Sequence, residues 1–524
     1  MIKVGKQILS LDDISRFLGG AKVSLDADAL EKTNKSFEFL SAFSKNKIIY
    51  GINTGFGPMA QTRIGETDQK ALQYNLIRSH ASGFGKPLEQ DDVRVLMLVR
   101  LNALMQGSSG IHNNVPERIV DWLNAGIYPL VFDHGGVGAS GDLVQLAHFA
   151  LGLIGEGECF YQGKRRPTSE VLKETGILPI EIHLREGLAL LNGTSCMTGI
   201  GLNNLLSAQK LFHWTLAASI LINEVVESFD DHYSEGLNRV KQHKGQNQVA
   251  RWMSTFLKDS QLTRKREKEL YDGKLNGHSI ERKVQEYYSL RCIPQILGPV
   301  WDTLENTGKV LIDETNSAGD NPIIDHEEQN VFHGGNFHGD YVSLEMDKLK
   351  TVVTKMSMLS ERQLNFLCND KLNDKIPPFA NLGILGLNYG VQGMQFSATS
   401  TVAENQALCS PVYVHSIPSN NDNQDIVSMG SNAALMAKKV IDNSYGVLAI
   451  EFFALIQAVE YLKIESKLST FSQKVYKEIS AIAPPFTEDE PKYPQIEKLR
   501  EFLANHIPAM MKTADVSPKE KRVQ

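Results

Sequence analysis

Two long apolar stretches constrain the fold of this 524-residue chain more than any other feature. Residues 202–229 and 433–462 each keep a helical hydrophobic pattern over roughly 25 residues or more. His213 and Glu224 interrupt the first, and Glu451 and Glu460 interrupt the second. Both therefore read as buried helices rather than membrane spans. A third pattern over 344–367 places Leu349, Val352, Val353, Met356 and Leu359 on one face at helical spacing. Helices of this length suit bundles, and the absence of sustained heptads argues against a simple coiled coil. Strand signals are short: 47–50, 181–184, and a hairpin over 158–166 that turns at Gln162-Gly163. There is no internal repeat and no alternating βαβ rhythm, so a doubly wound sheet is not expected. A mainly α fold follows. Length alone suggests about three domains.

Glycine is concentrated in loops set between the helical patterns: YGINTGFG at 50–57, HGGVGASGDL at 134–143 and HGGNFHGD at 333–340. Such loops often carry function on a rigid scaffold. GVGASG matches GxGxxG letter for letter, but a dinucleotide site needs a βαβ unit around it, and no Lys follows as in a phosphate-binding loop. The plain reading of this segment has Asp142 capping a helix over 143–152, because Asp satisfies orphan amides at a helix start. A sharper reading concerns Ala139-Ser140-Gly141. In a tight bend the Gly141 amide nitrogen can approach the Ala139 carbonyl carbon, and glycine tolerates that geometry because it has no Cβ. Cyclisation with loss of water, then dehydration of Ser140, would yield an electrophilic methylidene-imidazolone.

Composition excludes other classes. The 54 Lys and Arg against 61 Asp and Glu leave a net charge of -7, with no basic patch for nucleic acid. Cys159, Cys196, Cys292, Cys368 and Cys409 show no CxxC spacing, which disfavours a disulfide framework or a zinc site and suits a reducing compartment. The first residues, MIKVGKQILSLDD, contain no apolar signal core. His333 and His338 lack a third ligand at matching spacing, so no metal is expected. Together these features point to a cytoplasmic globular protein, with no partner in a membrane or nucleic acid.

YGINTGFG, GVGASGDL, LLNGTS, QEYYSLRCIPQ, NPII, GGNFHGD and NQDIVSMG occur in an order that resembles the aromatic amino acid ammonia-lyases and related aminomutases, over roughly 5–510. The resemblance implies a mainly α, long-helix bundle of the ammonia-lyase (fumarase/aspartase-like) type with a few short strands. It also implies a homotetramer whose active sites draw residues from several subunits. The GSSxMPxKxN loop of the aspartase/fumarase lyases is absent. The tripeptide Ala139-Ser140-Gly141 matches the family's self-formed prosthetic group, 4-methylidene-imidazole-5-one (MIO), with no metal or diffusible cofactor. Removing a β-proton from an amino acid needs a strong electrophile and a held base.

Tyr50 matches the family's catalytic tyrosine, and a free phenol titrates near ~10, so its site would have to favour ionisation. Asn192 and Tyr288 match residues that polarise or support the prosthetic group. Arg291 matches the arginine that clamps the substrate carboxylate through its planar fork. Gln285 and Asn321 match residues that orient substrate and ring, and Phe337 an aromatic wall. Glu404 matches a glutamate near the substrate amine; a buried, unpartnered carboxylate would be costly, which favours a functional role. Gln424 matches a polar neighbour of the tyrosine.

Ser79-His80 matches the dipeptide that faces the substrate ring. That pair is usual in histidine lyases, whereas the short segment NQDIVSM is as in tyrosine and phenylalanine lyases. The chain as a whole looks most like bacterial tyrosine ammonia-lyases of pigment biosynthesis. The expectation is a tyrosine ammonia-lyase that yields p-coumarate, with histidine ammonia-lyase the alternative. Phenylalanine ammonia-lyase, an MIO aminomutase and an inactive helical scaffold are weaker readings. The expected organisation is an MIO-bearing domain over 1–200, a long-helix bundle over 201–470, a helical cap over 471–511 and a polar, disordered tail over 512–524.

Overall fold

A computed structural model of the protein describes residues 1–271 and 284–511, so the expected tail lies outside the described residues. The structure is mainly helical. The elements that organise it are α1 (Gln69–His80), α2 (Gln90–Leu104), α3 (Leu143–Leu153), α4 (Glu186–Leu191), α5 (Ser195–Val225), α6 (Ile293–Thr315), α7 (Asp340–Cys368), α8 (Gln392–Leu408) and α9 (Gly430–Leu462). The long apolar patterns become α5 and α9, and the amphipathic pattern becomes α7. Leu349, Val353, Met356 and Leu359 of α7 are buried. By length and composition α5 and α9 could each cross a membrane, but 72% and 78% of their most apolar windows are buried inside the protein. Glu224 and Glu451 are buried with them. Glu224 is tolerated because it accepts the amide of Ser469 at 2.6 Å and its hydroxyl at 3.2 Å.

The strands are short and form small sheets of two or three. The expected hairpin is present: Glu158–Tyr161 pairs antiparallel with Lys164–Pro167. Gln162 (φ 51°) and Gly163 (φ 72°) make its turn in the left-handed region. The two other expected strands do not form, and for one reason: side chains take their backbone groups before a neighbouring strand can. Asn53 accepts the amide of Ile49 (2.9 Å) and donates to the carbonyl of Lys47 (2.7 Å), which folds 47–50 into a turn. In 181–184 the amide of Ile182 donates to the Tyr74 hydroxyl (3.3 Å) and that of His183 to the Glu186 carboxylate (2.6 Å).

The chain packs as two units, each assembled from segments distant in sequence. The first comprises 1–206, 307–348 and 411–438, and contains every glycine-rich loop named above. Within it α1, α3 and α4 pack on one another. Among the described residues the second comprises 207–271, 284–306, 349–410 and 439–511. Its core includes an aromatic cluster in which Trp252 and Trp301 meet edge to face at 4.9 Å, next to Phe212. The five cysteines are free thiols.

Candidate active site

Where α1, α3 and α4 pack on one another they line a half-open cavity of about 670 Å³ in the first unit. Each helix contributes apolar side chains to its wall: Leu72 and Leu76 from α1, Leu143 from α3, Leu188 from α4. Loops close the rest. The cavity brings together Tyr50, Ser79, His80, Ala139, Ser140, Asn192, Asn321, Phe337 and Gln424, all singled out in the sequence. Gly141 lines a smaller adjoining cavity of about 230 Å³, which shares Ala139, Ser140 and Gln424 with the first. An apolar chamber with a few convergent polar groups is the usual form of a small-molecule site.

The tripeptide loop is held from behind. Gly141 (φ 73°) pairs with Gly193, and a Cβ at position 141 would stand 2.0 Å from the Gly193 carbonyl oxygen. No other residue fits there. The amide of Asp142 donates to that same oxygen at 2.8 Å. The Asp142 carboxylate does not cap the adjacent helix α3, contrary to the expectation. It accepts instead from the amides of Cys196 (2.8 Å) and Met197 (2.9 Å) at the start of α5, and from the Ser431 hydroxyl (2.5 Å) at the start of α9. The free amides and positive dipole end of a long helix reward a fully buried carboxylate more than the start of α3 would. Burial pushes the Asp142 carboxyl up to about 6, while these three donors pull it down. On the cavity side, the Gln424 amide donates to the Ser140 hydroxyl at 3.3 Å.

Asn192 is held by Asp320: its side-chain amide donates to the Asp320 carboxylate (3.0 Å) and to the Asn321 carbonyl (3.1 Å). Asp320 receives both guanidinium arms of Arg185 at 2.9 Å in a fully buried pair. Burial works to raise the Asp320 carboxyl, but Arg185, then Arg100 and Asn192, hold it below the usual carboxylate range. The Tyr50 hydroxyl accepts the amide of Gly57 at 3.1 Å. Glu186 anchors the start of α4 by accepting the amides of His112 and His183, both at 2.6 Å.

The Ser79-His80 pair ends α1. His80 Nδ1 lies 3.0 Å from the Leu76 carbonyl oxygen and 3.0 Å from the Ser79 hydroxyl. A carbonyl only accepts, so Nδ1 carries the hydrogen, and in the neutral ring Nε2 is an acceptor. Ser79 donates to the same carbonyl at 3.2 Å.

The remaining candidates lie in the second unit. Tyr288 is 70% exposed, and the Arg291 guanidinium stacks over its ring at 4.9 Å. Gln285 is exposed. Glu404 on α8 is not the buried, unpartnered carboxylate that the cost argument assumed. It is exposed, accepts from the Asn443 side chain (2.7 Å) and faces Lys439 at 3.8 Å. Sequence reasoning did not single out the supports of the cavity: Asp142 as the cap of α5 and the partner of Ser431, Arg185 and Asp320 behind Asn192, and the apolar wall of Leu72, Leu76 and Leu188. The acid-base pairing of Arg185 and Asp320 left no local spacing signal.

Comparison with known proteins agrees with this architecture. The sequence pattern of the family described as "Aromatic amino acid lyase" matches residues 9–481. The histidine ammonia-lyase of Geobacillus sp. (strain WCH70) is 38% identical over 507 residues, which cover 96% of each chain. The tyrosine 2,3-aminomutase of Chondromyces crocatus is 38% identical over 510 residues, again 96% of each. Among solved structures, tyrosine aminomutase from Streptomyces globisporus superimposes with a TM-score of 0.92 at 35% identity, covering 96% of this chain and 97% of that one.

Proposed function

Because the chain belongs to the aromatic amino acid lyase family, we propose that it removes ammonia non-oxidatively from L-tyrosine to give trans-p-coumarate. One observation carries the reading: a single cavity gathers Tyr50, His80, Ser140 and Asn192 around an apolar chamber. The residues fit a prosthetic group built from Ala139, Ser140 and Gly141. The cradle behind Gly141 has no room for a Cβ, and Ser140 faces the cavity. That group supplies the electrophile that makes an unactivated β-proton removable. Tyr50 is the base, Asn192 is held by Asp320 to support the tripeptide, and Phe337 and Leu76 exclude water from the ring. Arg291 binds the substrate carboxylate, with Tyr288, Gln285 and Glu404 as its companions in sites that draw on several copies of a homotetramer, as the family resemblance implies. The setting is cytoplasmic.

The acceptor at His80 Nε2 supports a substrate whose ring presents a hydrogen-bond donor. The phenol of tyrosine does so, as does the imidazole N–H of histidine; phenylalanine does not, and it would leave a buried polar group unpaired. Histidine is the second reading, favoured by relatives such as that of Geobacillus. An aminomutase is the third, favoured by the tyrosine 2,3-aminomutase relative. Side-by-side incubation with tyrosine, histidine and phenylalanine, with products separated by chromatography, tests all three. p-Coumarate as the main product is expected. Urocanate alone reverses the substrate, and accumulation of β-tyrosine in place of p-coumarate replaces the lyase with an aminomutase.

A further inference from the structure

Arg100 on α2 is buried to 1% exposure, a rare position for a guanidinium. One arm donates to the Ala189 carbonyl on α4, and its Nε has no hydrogen-bond partner. The group occupies the space beside Gly193: a Cβ built on Gly193 (φ 153°) would stand 2.3 Å from Arg100 Nη1. Gly193 is the residue that presses on Gly141 and accepts the Asp142 amide. Arg100 thus fills the space beside Gly193, and Gly193 in turn pairs with Gly141. The next residue, Thr194, is tied down by a hydroxyl bond to the half-buried Glu314.

Arg185 is committed to Asp320 through two bonds, and Arg100 adds a second buried positive charge near the same carboxylate. Burial lowers the Arg100 guanidinium to about 10, and the nearby carboxylates Asp320 and Asp142 work against that fall. A buried cation with an unpaired Nε is costly unless the arrangement does something in return.

We propose that Arg100 is a positioning residue for self-modification: it holds the Ala189 and Gly193 backbone behind Gly141, and so presents the Gly141 nitrogen to the Ala139 carbonyl carbon. This rests on the reading that the tripeptide cyclises. In that step the Gly141 nitrogen bonds to the Ala139 carbonyl carbon, and the carbonyl oxygen leaves as water with the amide hydrogens of Gly141 and Ser140, forming a C=N bond to the Ser140 nitrogen. Ser140 then loses its Cα hydrogen and its hydroxyl as a second water, leaving a C=CH2 group. No oxidant, reductant or co-reactant is needed.

The test is intact-mass spectrometry of the full chain as wild type, Arg100→Met and Arg100→Lys, with circular dichroism alongside. The wild type is expected two waters (~36 Da) below its sequence mass. Arg100→Met should retain its helical spectrum while the modified fraction falls about tenfold or more. Arg100→Lys should show an intermediate fraction and a slower mass loss after cell-free synthesis, because it keeps charge but loses the flat fork. A purely structural role would lower melting temperature and leave the mass change complete, and that outcome overturns the proposal. If Arg100→Met does not fold, Arg100→Lys decides: mass loss at the wild-type rate overturns the proposal and slower loss supports it. An unmodified wild type overturns the cyclisation reading itself, and this inference with it.

Discussion

The candidate residues of the first unit converge on one cavity, whereas Gln285, Tyr288 and Glu404 of the second stand in solvent. Asp142 is fully buried with three donors on its carboxylate, and Asn192 is fastened to a buried ion pair. Tyr288 and Glu404, by contrast, are exposed, and Glu404 has only a side-chain amide and a distant ammonium for company. The difference is energetic. A buried polar group left without its bond costs about 1–3 kcal/mol, so its geometry is dictated by packing. An exposed pair contributes about 0–1 kcal/mol and is free to change partners. The loop of the proposed electrophile is therefore preorganised by the first unit, while burial does not fix Tyr288 and Glu404 in the second.

The largest effect belongs to the first unit. Ser140→Ala should lower turnover at least ~10³-fold, leave the helical circular dichroism unchanged and abolish the two-water mass loss; full activity in this variant would break the comparison at its strongest point. Arg291→Ala should lower kcat/KM about 100-fold, roughly 2.7 kcal/mol of transition-state stabilisation, with Arg291→Lys recovering only part. Because Arg291 belongs to the second unit, the mass of that variant should still show complete modification. A variant both inactive and unmodified would mean that the two regions mature together. Next, His80→Phe should shift the ratio of kcat/KM for tyrosine over phenylalanine by about 10²-fold toward phenylalanine, read from the same chromatographic assay.

A smaller effect concerns pH. The folded carboxyl of Asp142, raised by burial to about 6, lies above its value in the unfolded chain. The folded state therefore binds the proton more tightly. This contribution is full below about pH 4 and is lost as pH rises through about 6, amounting to ~3 kcal/mol across the window. Thermal melts of Asp142→Asn should lack that part of the pH dependence, whatever the variant's absolute stability; an unchanged slope between about pH 4 and 6 would detach Asp142 from it. The smallest effect is expected in the second unit: Lys439→Ala should change stability by less than about 0.5 kcal/mol in denaturant titration. A loss above about 1 kcal/mol would show that the surroundings of Glu404 are preorganised after all.

Much of the helical skeleton was legible because period and length are local properties. The patterns behind α5, α7 and α9 are visible in single windows of the sequence, and each helix formed where its pattern lay. The failed strands at 47–50 and 181–184 show the limit of such reading. Their apolar residues are real, but Asn53, Tyr74 and Glu186 take the backbone groups that a strand needs. Asp142 makes the same point at the site. Its residue type announced a cap, yet the helix it caps begins at Ser195, brought to it by the fold. Glu404 errs in the opposite sense, since nothing in its neighbours along the chain revealed that it faces solvent.

By itself the sequence determined where the long helices lie and where the glycine loops interrupt them, because propensity, periodicity and the missing Cβ of glycine act over a few residues. The tertiary structure alone decided that Gly193 backs Gly141, that Arg185 serves Asp320, and that Arg100 lies beneath them. These are contacts between groups far apart in the chain, set by which buried charges and amides must satisfy one another once water is gone.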